Sequence, residues 1–132
     1  MKQPQWISRE VALAIHEQSL ALHGGSAGMR DEGLLESALG RPQNLFAYEQ
    51  PDIHTLAAAY AAGIIRNHPF IDGNKRTGFV VCAVFLERNG YELLASEEEA
   101  TLTTLALAAS QMKEAEYASW LQRNTARSGR ER

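Results

Sequence analysis

The sequence is poor in the features that secreted, membrane-spanning and nucleic-acid-binding proteins carry in quantity. Its one cysteine, Cys82, sits inside the apolar run Phe79 to Leu86, where burial would desolvate the thiol and no second cysteine exists to pair with it. A disulfide framework is excluded, and the residue suits a reducing compartment. No apolar run approaches the roughly 18 residues that a membrane span requires, and none follows Met1-Lys2 as a secretory leader would. The expectation is a cytoplasmic protein without membrane association. Positive charge is scarce as well: 13 Lys and Arg face 16 Asp and Glu, for a formal net charge of −3. With no basic stripe interleaved with aromatics, direct binding of nucleic acid through phosphate neutralisation is disfavoured.

What is present suffices for one core. At 132 residues the chain has the length of a single domain, which typically buries about two thirds of the surface its unfolded chain exposes. A hydrophobic fraction of 45% with 22% charged residues is globular rather than disordered. No repeat or low-complexity tract divides it. Residues 1–126 read as one compact helical domain, and Arg127-Ser128-Gly129-Arg130-Glu131-Arg132 as a polar C-terminal tail.

The pattern is all-α. Ser8 is placed to cap a first helix with Val11, Ile15, Ser19 and Leu22 at helical spacing, stopped at His23-Gly24-Gly25. Asp31 caps a second helix with Leu34, Leu35, Ala38 and Leu39 on one face, ended by Gly40 and Pro42. Asp52 caps a third over Ile53 to Asn67, whose packed side holds Leu56, Ala59, Tyr60, Gly63 and Ile64. A fourth, from about Asn74 to Arg88, is apolar nearly all round and belongs at the domain centre. Its valine-rich run would also suit a buried strand, but no second β-patterned run of similar strength exists to pair with it. After an extended Tyr91 to Ala95, Ser96 and Glu99 form a capping-box pattern opening a fifth helix with Leu102, Leu105 and Ala109. A sixth, roughly Lys113 to Asn124, closes the core with Tyr117, Trp120 and Leu121.

Chemistry concentrates in Arg66-Asn67-His68-Pro69-Phe70-Ile71-Asp72-Gly73-Asn74-Lys75-Arg76-Thr77-Gly78. Pro69 ends the third helix and biases His68 out of the α region; Phe70 anchors the loop. Gly73 permits a sharp turn or close ligand approach, and the first amides of the next helix lack intrahelical acceptors. Their partial positive charge, together with Lys75, Arg76 and the Asn74 side-chain amide, forms a phosphate cradle. It is not a Walker A loop, which needs a glycine five positions before its Gly-Lys pair. Asp72 suits a Mg²⁺ that completes its shell with phosphate and water. His68 suits acceptance of a hydroxyl proton. Two influences on it oppose each other: the nearby cations favour the neutral ring, and the helix end favours the charged one. Singly, each residue has a plain structural use: a turn at His68-Pro69, a cap at Asp72, a loop bond at Asn74, a solvated face at Lys75 and Arg76. Together they supply base, metal ligand, anion cradle and charge clamp within nine residues.

These residues resemble the signature of the Fic/Doc superfamily, specifically its Doc (death-on-curing) toxins, His-x-Phe-x-Asp/Asn-Gly/Ala-Asn-Lys-Arg, with matches at His68, Phe70, Asp72, Gly73, Asn74, Lys75 and Arg76. The segment Gly28 to Pro42 is similar to the N-terminal half of such toxins. The Fic branch has His-Pro-Phe-x-x-Gly-Asn-Gly-Arg-x-x-Arg and usually transfers AMP; this chain has Lys75 for the glycine and Phe79 for the last arginine. The resemblance implies a compact Fic/Doc helical bundle and a toxin of a type II toxin–antitoxin system. It implies a protein kinase that uses ATP and Mg²⁺ to phosphorylate a threonine of elongation factor Tu and so blocks translation. Carried over by position, His68 is the general base and Asp72 the Mg²⁺ ligand. Gly73, Asn74, Lys75 and Arg76 bind the nucleotide phosphates, with Lys75 and Arg76 also assisting transfer. The implied partner is an antitoxin of the Phd type, whose disordered C-terminal segment folds onto a groove. From the residues alone, Fic-like AMP transfer and a nonenzymatic binding toxin or adaptor remain open alternatives.

Overall fold

The computed structural model describes residues 2–128. In these the chain forms α1 (Arg9–His23), α2 (Glu32–Glu49), α3 (Ile53–Asn67), α4 (Asn74–Arg88), β1 (Tyr91–Leu93), α5 (Glu97–Ala108), α6 (Glu114–Arg123) and β2 (Thr125–Arg127). Four of the helix starts follow from side-chain caps. Ser8 accepts from the Val11 N–H at 3.2 Å, Asp31 from Leu34 at 3.0 Å, Asp52 from Thr55 at 2.8 Å and Ser96 from Glu99 at 3.1 Å, each satisfying an amide that the helix itself cannot.

The hub is α3. From Leu56 to Ile65 every residue is buried, and α2, α4, α5 and α6 all pack against it. Small side chains make this enclosure possible. A Cβ on Gly63 would stand 3.3 Å from the Ala38 side chain of α2, and one on Gly78 would stand 3.1 Å from the Ala61 carbonyl and 3.0 Å from Ile65. Helix backbones therefore approach α3 on two sides. α4 buries Thr77, Gly78, Val81, Cys82, Phe85 and Leu86 and keeps Phe79, Val80, Ala83 and Val84 partly exposed, packed by α1, α3, α5 and β1. Cys82 is fully buried, and desolvation pushes its thiol up, away from reactivity.

Several local expectations change. α2 does not end at Gly40 and Pro42 but runs on to Glu49 with Pro42 inside it. Leu35, Ala38, Leu39, Pro42 and Phe46 are all buried, so continued burial of that stripe outweighs the lost backbone hydrogen bond. On α1 the buried residues are Ala12, His16 and Ser19, while Leu22 is 70% exposed. On α5 they are Ala100, Thr104 and Leu107, while Leu102 and Leu105 face outward and Ala109 is the exposed C-cap. There the Thr104 hydroxyl meets the Tyr117 hydroxyl at 2.9 Å, so a polar bond rather than a leucine face sets the helix's rotation. The reciprocal half of the Ser96/Glu99 box is not made, because the Glu99 carboxylate accepts from the Trp120 indole at 2.9 Å instead. β1 and β2 form a small antiparallel ribbon, Tyr91 opposite Arg127 and Leu93 opposite Thr125. It takes in Arg127, the first residue of the expected tail; Gly129 to Arg132 lie outside the described residues.

The α3–α4 contact yields a test with an informative sign. Gly→Ala in a helix normally stabilises by up to about 1 kcal/mol, but at Gly78 the added methyl meets a backbone oxygen. Gly78→Ala should therefore lower stability by about 1–2 kcal/mol in urea unfolding; a gain would mean that the two helices have slack at this point.

Candidate active site

The motif loop begins where α3 runs out. His68 is the C-cap of α3, with φ 54° and ψ 53°. Pro69 thus excludes the right-handed helical region as expected, but His68 takes the left-handed cap geometry rather than an extended one. A non-glycine residue there costs about 1 kcal/mol, and tertiary bonds hold it. The Arg30 guanidinium donates to the carbonyl of His68 at 2.6 Å and to that of Asn67 at 2.8 Å, while the Arg30 and Asp31 amides both donate to the Pro69 carbonyl. The imidazole of His68 is exposed and makes no hydrogen bond or ion pair with any described residue.

The loop between α1 and α2 secures the next stretch. Met29 and Phe70 form a short antiparallel bridge, and the Ile71 amide donates to the Gly28 carbonyl at 3.1 Å. Phe70 is 1% exposed, which makes it the anchor the sequence suggested. The carboxylate of Asp72 accepts from the Ser26 amide at 3.1 Å and from the Gly73 amide at 2.8 Å. First these two bonds, in that order, and then the nearby Arg76 and His16 hold it below the ordinary aspartate range, so it stays ionised near neutrality. Gly25 lies so close that a Cβ there would stand 2.9 Å from Asp72 Oδ2.

At Asn74 the plain structural use prevails for the side chain. Its Oδ1 accepts from the Phe70 amide and its Nδ2 donates to the Phe70 carbonyl, both at 2.9 Å, and the residue is 3% exposed. The amide expected in the phosphate cradle is spent on closing the loop, so that of Asn74 only the backbone N–H is left without a partner among the described residues. Gly73, at φ 81°, is the N-cap of α4 and supplies no side-chain cap. The backbone amides of Asn74, Lys75 and Arg76 consequently have no acceptor among the described residues, and this is the arrangement in which a helix start binds anions. The side chains of Lys75 and Arg76 are exposed and enter no salt bridge among these residues, whereas Arg66, in the same stretch, pairs with Glu114 at 3.1 Å.

The structure thus gathers Asp72, Gly73, Asn74, Lys75 and Arg76 at one exposed corner, with His68 entering the same loop. It adds residues that the sequence reading passed over: His16, Gly25, Ser26 and Arg30. In the sequence Gly25 reads as part of a helix stop and Arg30 falls within the Gly28–Pro42 stretch of the family resemblance, but nothing local marks any of the four as part of the site. A cleft of about 480 Å³ between α2, α3 and α6, lined in part by Arg41, His54 and Glu114, lies elsewhere and holds no comparable set of unpartnered amides and motif side chains. Among the described residues no three His, Cys, Asp or Glu side chains gather as a metal cluster. Asp72 is thus a single carboxylate, a donor set that fits Mg²⁺ arriving with phosphate and water.

A family model described as "Fic/DOC family" matches residues 6–86, the stretch from before α1 to within α4. The chain is similar to "Protein kinase doc" of Escherichia phage P1, with 40% identity over 98 residues, 74% of this chain and 78% of that protein. It is also similar to "Toxin Doc" of Mycolicibacterium smegmatis, with 42% identity over 76 residues, 54% of this chain and 57% of that one.

The two bonds of Asn74 can be separated from any direct ligand role. Asn74→Ala strips partners from two buried backbone groups and should cost about 2 kcal/mol or more in chemical denaturation, before any ligand is added. Unchanged stability would return the side chain to the cradle.

Proposed function

The chain belongs to the Fic/DOC family, and on that premise we propose that it is a Doc-type toxin that transfers the γ-phosphate of ATP to a threonine hydroxyl of elongation factor Tu, stopping translation. The observation that carries this reading is the start of α4: three backbone amides without acceptors among the described residues, with the exposed Lys75 and Arg76 on the same turn. Phosphoryl transfer asks for positioning and charge neutralisation more than for a protein nucleophile, and this corner offers both.

In the proposed reaction the amides, Lys75 and Arg76 take the phosphates of ATP, and Asp72 would hold the Mg²⁺. That ion, when bound, draws charge from the phosphate oxygens. His68, whose ring has no internal partner, accepts the threonine proton. As it does so the threonine oxygen bonds to the γ-phosphorus, the bond from that phosphorus to its bridging oxygen breaks, and ADP leaves. Lys75 and Phe79, standing where the Fic pattern has glycine and arginine, favour presentation of the γ- rather than the α-phosphorus, and the phage P1 relative's name as a protein kinase supports the same choice. A cognate antitoxin of the Phd type would restrain the toxin. No described helix is long and apolar enough to cross a membrane, and a cytoplasmic setting fits the proposed target.

His68→Ala and Arg76→Ala should each lower transfer by on the order of 100-fold. The measurement is intact-mass spectrometry of purified elongation factor Tu incubated with ATP, Mg²⁺ and this protein. Added phosphate supports the reading, added AMP replaces it with the Fic reaction, and near-normal turnover in both variants removes the assigned roles.

A further inference from the structure

Beneath the motif loop lies a buried side chain with no part in the reaction just described. His16 of α1 is 6% exposed, and its ring lies flat on Phe70, the centroids 3.8 Å apart and the planes within 8°. Its Nε2 is 2.8 Å from the main-chain carbonyl oxygen of Asp72, 56 positions along the chain. Because a carbonyl only accepts, Nε2 must carry the hydrogen and the imidazole is the donor. A Cβ on Gly73 would come 3.7 Å from the same Nε2, so the ring also backs the residue that caps α4. Packing against Phe70 would be met by any flat apolar ring; burying a polar ring is favourable only if its donor is used.

The consequence runs through peptide geometry. The Asp72 carbonyl and the Gly73 N–H belong to one planar trans unit and point in opposite directions. Holding the carbonyl on the His16 side therefore turns the Gly73 N–H outward, where it meets Asp72 Oδ1 at 2.8 Å. The same peptide leads into the left-handed Gly73, after which the first amides of α4 begin.

We infer that His16 is a positioning residue, whose single hydrogen bond sets the Asp72–Gly73 peptide and thereby aims both the Asp72 carboxylate and the α4 amides at the bound nucleotide. This rests on the phosphotransfer reading for its kinetic test, though not for its structural one. Two variants divide the side chain's contributions: His16→Phe keeps the stack and removes the donor, and His16→Gln restores a donor at a similar reach. The full chain would be assayed for kcat and for the KM of ATP, for urea stability, and for backbone amide exchange by NMR.

The Phe variant should lose roughly 10- to 100-fold in kcat, as do proteins stripped of a group that orients a metal-binding carboxylate, with a smaller rise in KM. Amide exchange should quicken at Gly73 and Thr77, whose N–H groups are bonded to the Asp72 carboxylate and the Gly73 carbonyl, and stay slow in α3, and His16→Gln should recover most of the activity. Wild-type kcat in the Phe variant, no recovery with Gln, or exchange quickened through the whole domain would overturn the inference. So would failure of the Phe variant to fold, since the bond would then hold the domain rather than the site. If the wild-type protein transfers nothing, the phosphotransfer reading falls, and the exchange comparison alone decides the case for His16.

Discussion

The side-chain amide of Asn74 closes on the backbone of Phe70, taking both its N–H and its carbonyl, and this small ring makes the turn into α4 possible without a cap. Four other helices begin with a serine or aspartate that occupies a first-turn amide. α4 begins with Gly73, which has no side chain to offer. A conventional cap contributes about 1 kcal/mol; here that contribution is forgone at the one helix start where the family motif sits. The amides keep no acceptor among the described residues, and the loop keeps its shape through Asn74 instead.

Holding such a start open requires support from several directions, and the supports come from distant parts of the sequence. Arg30 secures the end of α3 through two carbonyls, Ser26 takes one oxygen of Asp72, and His16 supports the loop from below. These residues lie on α1 or between α1 and α2, and a family model spanning residues 6–86 encloses all of them together with the motif. α5, α6 and the ribbon fall outside that span. Their part in the site is indirect: they complete the burial of α3 and α4, whose close approach at Gly78 and Ala61 sets where the loop begins and ends.

The division of labour among the motif residues follows from exposure. Phe70 and Asn74 are buried and keep the loop's form, while His68, Asp72, Lys75 and Arg76 project into solvent. Asp72 joins the two groups. Its carboxylate is fixed by backbone amides, yet it is open to water and kept ionised by those same bonds. A carboxylate already oriented and charged loses little freedom on meeting a cation, which is how preorganisation lowers the cost of binding.

Much of this was legible in the residues alone. Ser8, Asp31, Asp52 and Ser96 marked helix starts because a cap is a local interaction, formed within three residues of its own position. The limits of α3 and α4 were readable for the same reason, as was the clustering of His68, Asp72, Lys75 and Arg76, since a short loop cannot separate residues that are neighbours in sequence. What periodicity misjudged was rotation: Leu22, Leu102 and Leu105 have the right spacing but face water, because which stripe of a helix is buried depends on the partner it meets. Pro42 was read as a stop because its local effect is unfavourable, and only the burial of Phe46 one turn later reverses that balance. Arg30, Ser26 and His16 could not be assigned at all. Their hydrogen bonds reach 37 to 56 positions along the chain, and a bond of that span exists only once the helices have packed.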